Sequence, residues 1–129
     1  MTGVALEPLI AAIREAWTRE TSADPRGWSD ANPAWGQCAV TALLIQDGHG
    51  GDLLRAEVNG VSHYWNRLPS GVEVDLTREQ FGDLPLPMGP IEIRSRDYVL
   101  SFDATQRRYQ LLQQRASDGL SAVTSCQPA

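Results

Sequence analysis

The sequence predicts an α+β fold in which N-terminal helices pack on a small antiparallel β-sheet and a C-terminal helix closes the structure. Three observations predict it. Leu6, Leu9, Ile10, Ile13, Ala16 and Trp17 recur at helical spacing, with Arg14, Glu15 and Arg19 on other faces. Asn59-Gly60 and Pro69-Ser70-Gly71 divide residues 53–76 into three strand-like runs, and Asn-Gly is a strong hairpin signal. Residues 104–116 set Tyr109, Leu111 and Leu112 in a helical context. A chain of 129 residues with 42% hydrophobic content predicts one domain over residues 1–129, because a second core would be starved of apolar residues. Residues 117–129 read as a flexible tail.

In chain order, the first amphipathic helix covers residues 6–19. Residues 21–36 are dense in Pro, Gly, Asp and Asn, and two tryptophans, Trp28 and Trp35, predict an ordered loop rather than a linker. Residues 38–45, CAVTALLI, are apolar nearly all round and precede the helix-stopping DGHGG, so they predict a short buried helix beginning at Cys38. The glycines are no phosphate loop, since the helix precedes them and the P-loop spacing and Lys are absent. The three strands follow at residues 53–58, 61–68 and 72–76, and then a short helix with Thr77 as its cap and Gln80 at the capping-box position. Residues 84–90 form a proline-rich loop able to wall a site. The pattern over residues 91–102 fits either a strand or irregular structure.

Composition excludes several function classes. The net charge is -5 with no basic block, which argues against a nucleic-acid partner. All 11 basic residues are Arg, so chemistry through a lysine Schiff base has no residue to use. No apolar run is long enough to span a bilayer and the first ten residues lack a secretory pattern, so a cytoplasmic protein is expected. The two cysteines, Cys38 and Cys126, differ in setting, and a disulfide between them is not expected in a reducing compartment. No cofactor is expected, and no metal either, because CxxC, HExxH and clustered His/carboxylate spacings are all missing.

The residues that carry chemistry are Cys38, His63 and Asp75. A thiol becomes a useful nucleophile as a thiolate, and the unpaired N–H dipoles of a helix's first turn favour that charge. A histidine on a neighbouring strand can take the proton, and His63 lies centrally on the second predicted strand. A three-residue turn at 69–71 pairs Leu68 with Val72 and therefore Trp65 with Asp75, which puts Asp75 diagonally across from His63 on one face. Diagonal neighbours lie about 7–8 Å apart, within side-chain reach, so Asp75 can orient the imidazole. A slip of one residue would send it to the other face.

The segments NPAWGQCAVTALLIQDGHGG and HYWNRLPSGVEVDLTREQFG resemble the YunG-like family over roughly residues 28–115, and the stretch from His63 to Asp75 is similar to the histidine-to-aspartate segment of transglutaminase-like enzymes. The resemblance implies a papain-like (transglutaminase-like) core with Cys38 as nucleophile, His63 as base and Asp75 as orienter. Papain-like enzymes carry an amide side chain six residues before the cysteine, where this chain has Asn32, while Gln37 directly precedes Cys38. Both are candidate oxyanion donors beside the Cys38 backbone N–H. The chain lacks a Cys-Gly-Ser-Cys-Trp run and a second lobe, so the expected substrate is a small molecule or a short acyl or peptidyl group.

Each of these residues also has a packing reading. Cys38 can be a buried core thiol, His63 a core histidine, and Asp75 an Asx cap for the turn at Thr77. His49 fits a solvated helix end, and the four tryptophans fit core positions, with Trp65 alone assigned to the substrate pocket because it shares the face of His63. Arg94, Arg96 and Asp97 form either an anion-binding cluster or a solvated surface patch. The leading expectation is a cysteine-dependent hydrolase or acyltransferase. The alternatives are a lyase, isomerase or cyclase of specialised metabolism moving protons with the same Cys/His pair, and a non-enzymatic binding module on the same scaffold.

Overall fold

The structure is a computed structural model that describes residues 3–82 and 87–125. Among these, helix α1 spans Leu6–Ala16, α2 Cys38–His49, α3 Arg96–Leu100 and α4 Asp103–Ser125. Strands β1 (Asp52–Val58), β2 (Val61–Arg67), β3 (Glu73–Val74) and β4 (Glu92–Arg94) form one antiparallel sheet in the order β3-β2-β1-β4. The fold is α+β.

Helix α2 is the centre of the molecule. Val40, Thr41, Ala42, Leu43, Leu44 and Ile45 are buried in succession, as an apolar helix must be when other elements cover it on every side. It packs on β1 and β2 on one flank and on α1 and α4 on the other, and Asn66 on β2 fastens it by donating to the Ala42 carbonyl at 2.9 Å. Helix α1 buries Leu9, Ala12, Ile13 and Ala16 chiefly against α4 and α2, so α2 rather than a pair of N-terminal helices carries the sheet. Its end is secured by Trp17, whose indole donates to Thr41 Oγ1 at 3.0 Å.

The β1–β2 hairpin turns through Asn59 (φ 52°) and Gly60 (φ 81°), the two left-handed residues that a type I′ turn requires. The second turn closes with Leu68 N–H donating to the Val72 carbonyl at 2.8 Å, and the ladder runs Asn66↔Val74 and Arg67↔Glu73. This is the register expected from the Pro69-Ser70-Gly71 turn. The third strand is shorter than residues 72–76, because Asp75 and Leu76 leave the ladder to enter a 3-10 turn over Leu76–Phe81. That turn starts one residue before the expected cap at Thr77.

Three further expectations are corrected. Residues 91–102 hold both an edge strand, β4, and the short helix α3, which Ser95 Oγ caps by accepting from the Tyr98 N–H at 3.1 Å. Residues 117–125 continue α4 instead of fraying, because Leu120 extends the buried stripe of Thr105, Tyr109, Leu112 and Ala116. Of the proline-rich loop, residues 83–86 lie outside the described residues, as does Cys126. Its remainder runs beside β1, where Gly89 N–H donates to the Glu57 carbonyl at 2.9 Å, and lines a hollow that does not include Cys38.

The loop between α1 and α2 is ordered by its tryptophans, as expected. Trp28 Nε1 donates to the Pro33 carbonyl and Trp35 Nε1 to Asp24 Oδ2, each at 3.0 Å. Among the described residues no helix is long and apolar enough to cross a membrane.

Candidate active site

Cys38 is the first residue of α2, half-buried and free of any disulfide. The first N–H groups of a helix have no partner within it, and the positive end of the helix dipole lies there. The residue before it would normally cap them. Gln37 does not, because its amide is spent inside: Oε1 accepts from Thr21 Oγ1 at 2.8 Å and Nε2 donates to the Thr18 carbonyl at 3.0 Å. The sulfur therefore sits against an uncapped helix start, with the Ser62 carbonyl 3.8 Å away.

His63 stands on β2 opposite Ala56, on the sheet face it shares with Trp65 and Leu54. Its side chain is 1% exposed. The imidazole stacks on Trp65 (centroids 5.5 Å apart, 19° between planes) and receives the edge of Phe81 (5.1 Å, 79°). Two aromatic walls hold the ring in one orientation. Nε2 lies 2.8 Å from Asp75 Oδ2 and 3.0 Å from Oδ1. A carboxylate only accepts, so Nε2 carries the proton and Nδ1 becomes the basic nitrogen of the neutral ring. Nδ1 is buried with no hydrogen-bond partner among the described residues.

Burial by itself pulls the pKa of the His63 imidazolium down. The hydrogen bond to Asp75 and its charge, joined by the Cys38 sulfur, outweigh it and raise the value to about 9. Cys38 and His63 line one cavity, and since Asp75 holds Nε2, Nδ1 is the ring nitrogen left to exchange a proton there. Asp75 stands at the N-cap of the turn that follows it, but its side chain makes no capping hydrogen bond there, which removes the Asx reading.

The other expected site residues are placed differently. Asn32 Nδ2 donates to the Gln80 carbonyl at 3.0 Å, and neither Asn32 nor Gln37 lines a cavity at Cys38. Both amides are engaged in structural hydrogen bonds. Trp65 is 4% exposed, and its indole donates to Glu73 Oε1 at 2.7 Å. It backs His63 rather than facing the cavity. His49 Nε2 lies 3.0 Å from the Val4 carbonyl, a tie between the end of α2 and the chain ahead of α1. Arg94 pairs with Glu92 and lies over Tyr98, and Arg96 is held by Asp47, Gln46 and Tyr109, so of the two readings of this cluster the anion-binding one loses its free cations to neighbouring carboxylates.

Two cavities share Cys38 in their walls. One, of about 570 Å³, is lined by Asp24, Trp35, Cys38, Ser62, His63 and Phe81 among others. The second, of about 290 Å³, lies on the α3–α4 side and is lined by Cys38, Tyr64, Tyr98, Phe102, Thr105 and Arg108 among others. The sequence reading passed over Arg108 and the two exposed aromatics. A signal was present for Arg108, since it falls among Thr105, Tyr109 and Leu112 on the inward side of α4, where a charge is unusual.

The model of the YunG protein family matches residues 5–121, a span that contains Cys38, His63 and Asp75. The chain belongs to the YunG family. A relative of this family member, described as the uncharacterized protein YunG of Bacillus subtilis (strain 168), is 32% identical over 123 residues, covering 92% of this chain and 97% of its own. No solved structure matches the chain.

Proposed function

We propose that this YunG-family protein is a cysteine-dependent enzyme that performs acyl transfer, or amide or ester hydrolysis, on a compact substrate. The observation that carries this reading is the His63 ring: one nitrogen is tied to Asp75 at 2.8 Å, the other is buried and unpartnered among the described residues, and the ring lines the same cavity as a thiol at a helix N-terminus. A packing histidine would satisfy both nitrogens.

The chemistry follows from that arrangement. The reactive state is a thiolate–imidazolium pair, in which the proton that leaves the thiol resides on His63 Nδ1 and the imidazolium is stabilised by Asp75. The sulfur attacks the acyl carbon, an S–C bond forms, and the carbonyl π electrons move to oxygen, which the N–H groups at the start of α2 receive. As the intermediate collapses, the bond to the leaving group breaks and Nδ1 returns the proton to that group. A thioester remains on Cys38. Water or an acceptor, deprotonated by the same nitrogen, then releases the acyl group and restores the thiol.

A cysteine at the start of a central helix, a histidine on the adjoining antiparallel sheet and an aspartate at the end of the next strand also support a reduced papain-like, or transglutaminase-like, core. A cytoplasmic setting, where the thiol stays reduced, fits this use. The enclosing cavities favour a small-molecule or short acyl substrate over a long peptide.

The test is intact-mass and peptide-mapped detection of an acyl adduct after exposure to activated short-chain esters. An adduct on Cys38, with turnover lost by about 10³-fold or more in Cys38→Ala, is the expected result. Unchanged turnover in Cys38→Ala would overturn it.

A further inference from the structure

The 290 Å³ cavity on the α4 side of Cys38 holds a cation that the fold leaves unpaired. Arg108 is half-buried, and its Nη2 donates to Thr105 Oγ1 at 3.2 Å. No carboxylate pairs with it among the described residues, although Arg55, Arg67, Arg94, Arg96 and Arg115 each have one. Its Nε is buried with no hydrogen-bond partner among them. A guanidinium in that state leaves strong donors unused, in a fork that fits a planar anion. Burial lowers its pKa, and the charge of the Cys38 sulfur is the neighbour that opposes the shift, so cation and sulfur sense one another.

The rim of the same cavity is aromatic. Tyr98 and Phe102 meet edge to face, with centroids 5.6 Å apart, and remain 48% and 53% exposed. Exposed aromatics beside an unpaired arginine form an amphipathic slot, with an apolar mouth and a cationic floor.

We propose that this cavity is a substrate subsite for an apolar or aromatic group bearing a carboxylate, with Arg108 pairing the carboxylate and Tyr98 and Phe102 flanking the apolar part. The inference rests on the cysteine-dependent reading above, because it supplies that reaction with a substrate class: acyl compounds, such as amino-acid conjugates, that end in a free carboxylate. The reacting carbonyl then lies at Cys38, which both cavities share in their walls, and the remainder of the substrate extends into the larger one.

The test uses alkylation of Cys38 in the full-length protein by N-chloroacetyl-phenylalanine and by its neutral carboxamide, with modification mapped to Cys38 by peptide mass. Relative to the same two reagents acting on a free thiol, the carboxylate probe should label Cys38 roughly tenfold faster than the amide, as one charge-assisted contact provides. Arg108→Gln should bring that ratio to about one, and because the ratio compares two probes at the same thiol it is read independently of any change in the amide rate that loss of the neighbouring cation causes, while Arg108→Lys should keep part of the preference. An equal preference in wild type and Arg108→Gln would overturn the subsite. Where Arg108→Gln is unfolded by circular dichroism, Arg108→Lys and competition by free N-acetyl-phenylalanine decide: no protection of Cys38 by that acid in the wild type also overturns it. Alkylation requires no acyl transfer, so a carboxylate preference without any acyl adduct would reject the proposed reaction and retain the subsite. An acyl adduct without the preference would do the reverse.

Discussion

At the scale of the residue, His63 joins stability to chemistry. Its folded pKa, about 9, stands above the ordinary 6.5, so the folded state holds the proton more tightly than the unfolded chain does. The associated stability is fully present below pH 6.5 and is lost as pH rises through about 9. For a side chain this deeply buried the loss amounts to roughly 3 kcal/mol or less. Chemical denaturation of the wild type between pH 6 and 10 should show it, and Asp75→Asn should remove most of the pH dependence because the carboxylate is the main group that raises the value. The same substitution should move the alkaline limb of Cys38 alkylation to lower pH. A stability curve as steep in Asp75→Asn as in the wild type would mean that another group holds the proton. All three of these residues were legible in the sequence, since a cysteine before an apolar helix and a histidine and aspartate linked by strand parity are local patterns. The placement of the Asn32 and Gln37 amides was not legible, because what they bond to, the Gln80 carbonyl and the Thr18–Thr21 turn, depends on loop packing that spacing does not encode.

At the scale of the element, the site depends on two turns and a helix stop. The Asn59-Gly60 turn and the Pro69-Ser70-Gly71 turn set β1, β2 and β3 in register, and register decides whether Asp75 meets His63. Both turns were readable because glycine and asparagine at positive φ and proline at a fixed φ are chemical constraints on a few adjacent residues. The stop at the end of α2 is more demanding than the sequence suggested. Gly51 has φ 84°, and a Cβ there would lie 2.2 Å from the Arg67 carbonyl oxygen at the end of β2. Gly51→Ala must therefore displace β2 from α2, combining backbone strain of about 1–3 kcal/mol with a clash against main chain. It should lower stability by at least about 2 kcal/mol in urea denaturation and weaken Cys38 alkylation through loss of alignment with His63. Gly60→Ala, which has a positive φ of 81° but nothing within 4 Å of its Cβ position, should cost only the strain. Equal losses in the two variants would show that close approach at Gly51 is not what fixes the strand.

At the scale of the whole molecule, α2 carries the nucleophile and is also the element every other layer packs on, so core and site are mechanically one unit. The extent of α4 was the main feature the sequence reading lost. Its stripe of Thr105, Tyr109, Leu112, Ala116 and Leu120 has helical spacing, but Ser117, Asp118, Gly119 and Ser121 give the second half a tail-like composition. Packing on α1 and α2 overrides that local preference, and the same packing brings Arg108 to the sulfur. This arrangement predicts different consequences from two leucines. Leu44, on α2, and Leu112, on α4, are each 0% exposed, so Leu→Ala at either should cost about 2–5 kcal/mol and lower the melting temperature by several degrees. Leu44→Ala opens a void in the helix that bears Cys38, whereas Leu112→Ala frees the helix that bears Arg108. Measured well below the melting temperature, Leu112→Ala should reduce the preference of Cys38 for the carboxylate probe while the amide probe still reacts at its wild-type rate. Leu44→Ala should slow both probes together. Identical effects of the two substitutions on the probe ratio would mean that α4 does not position Arg108 independently of α2.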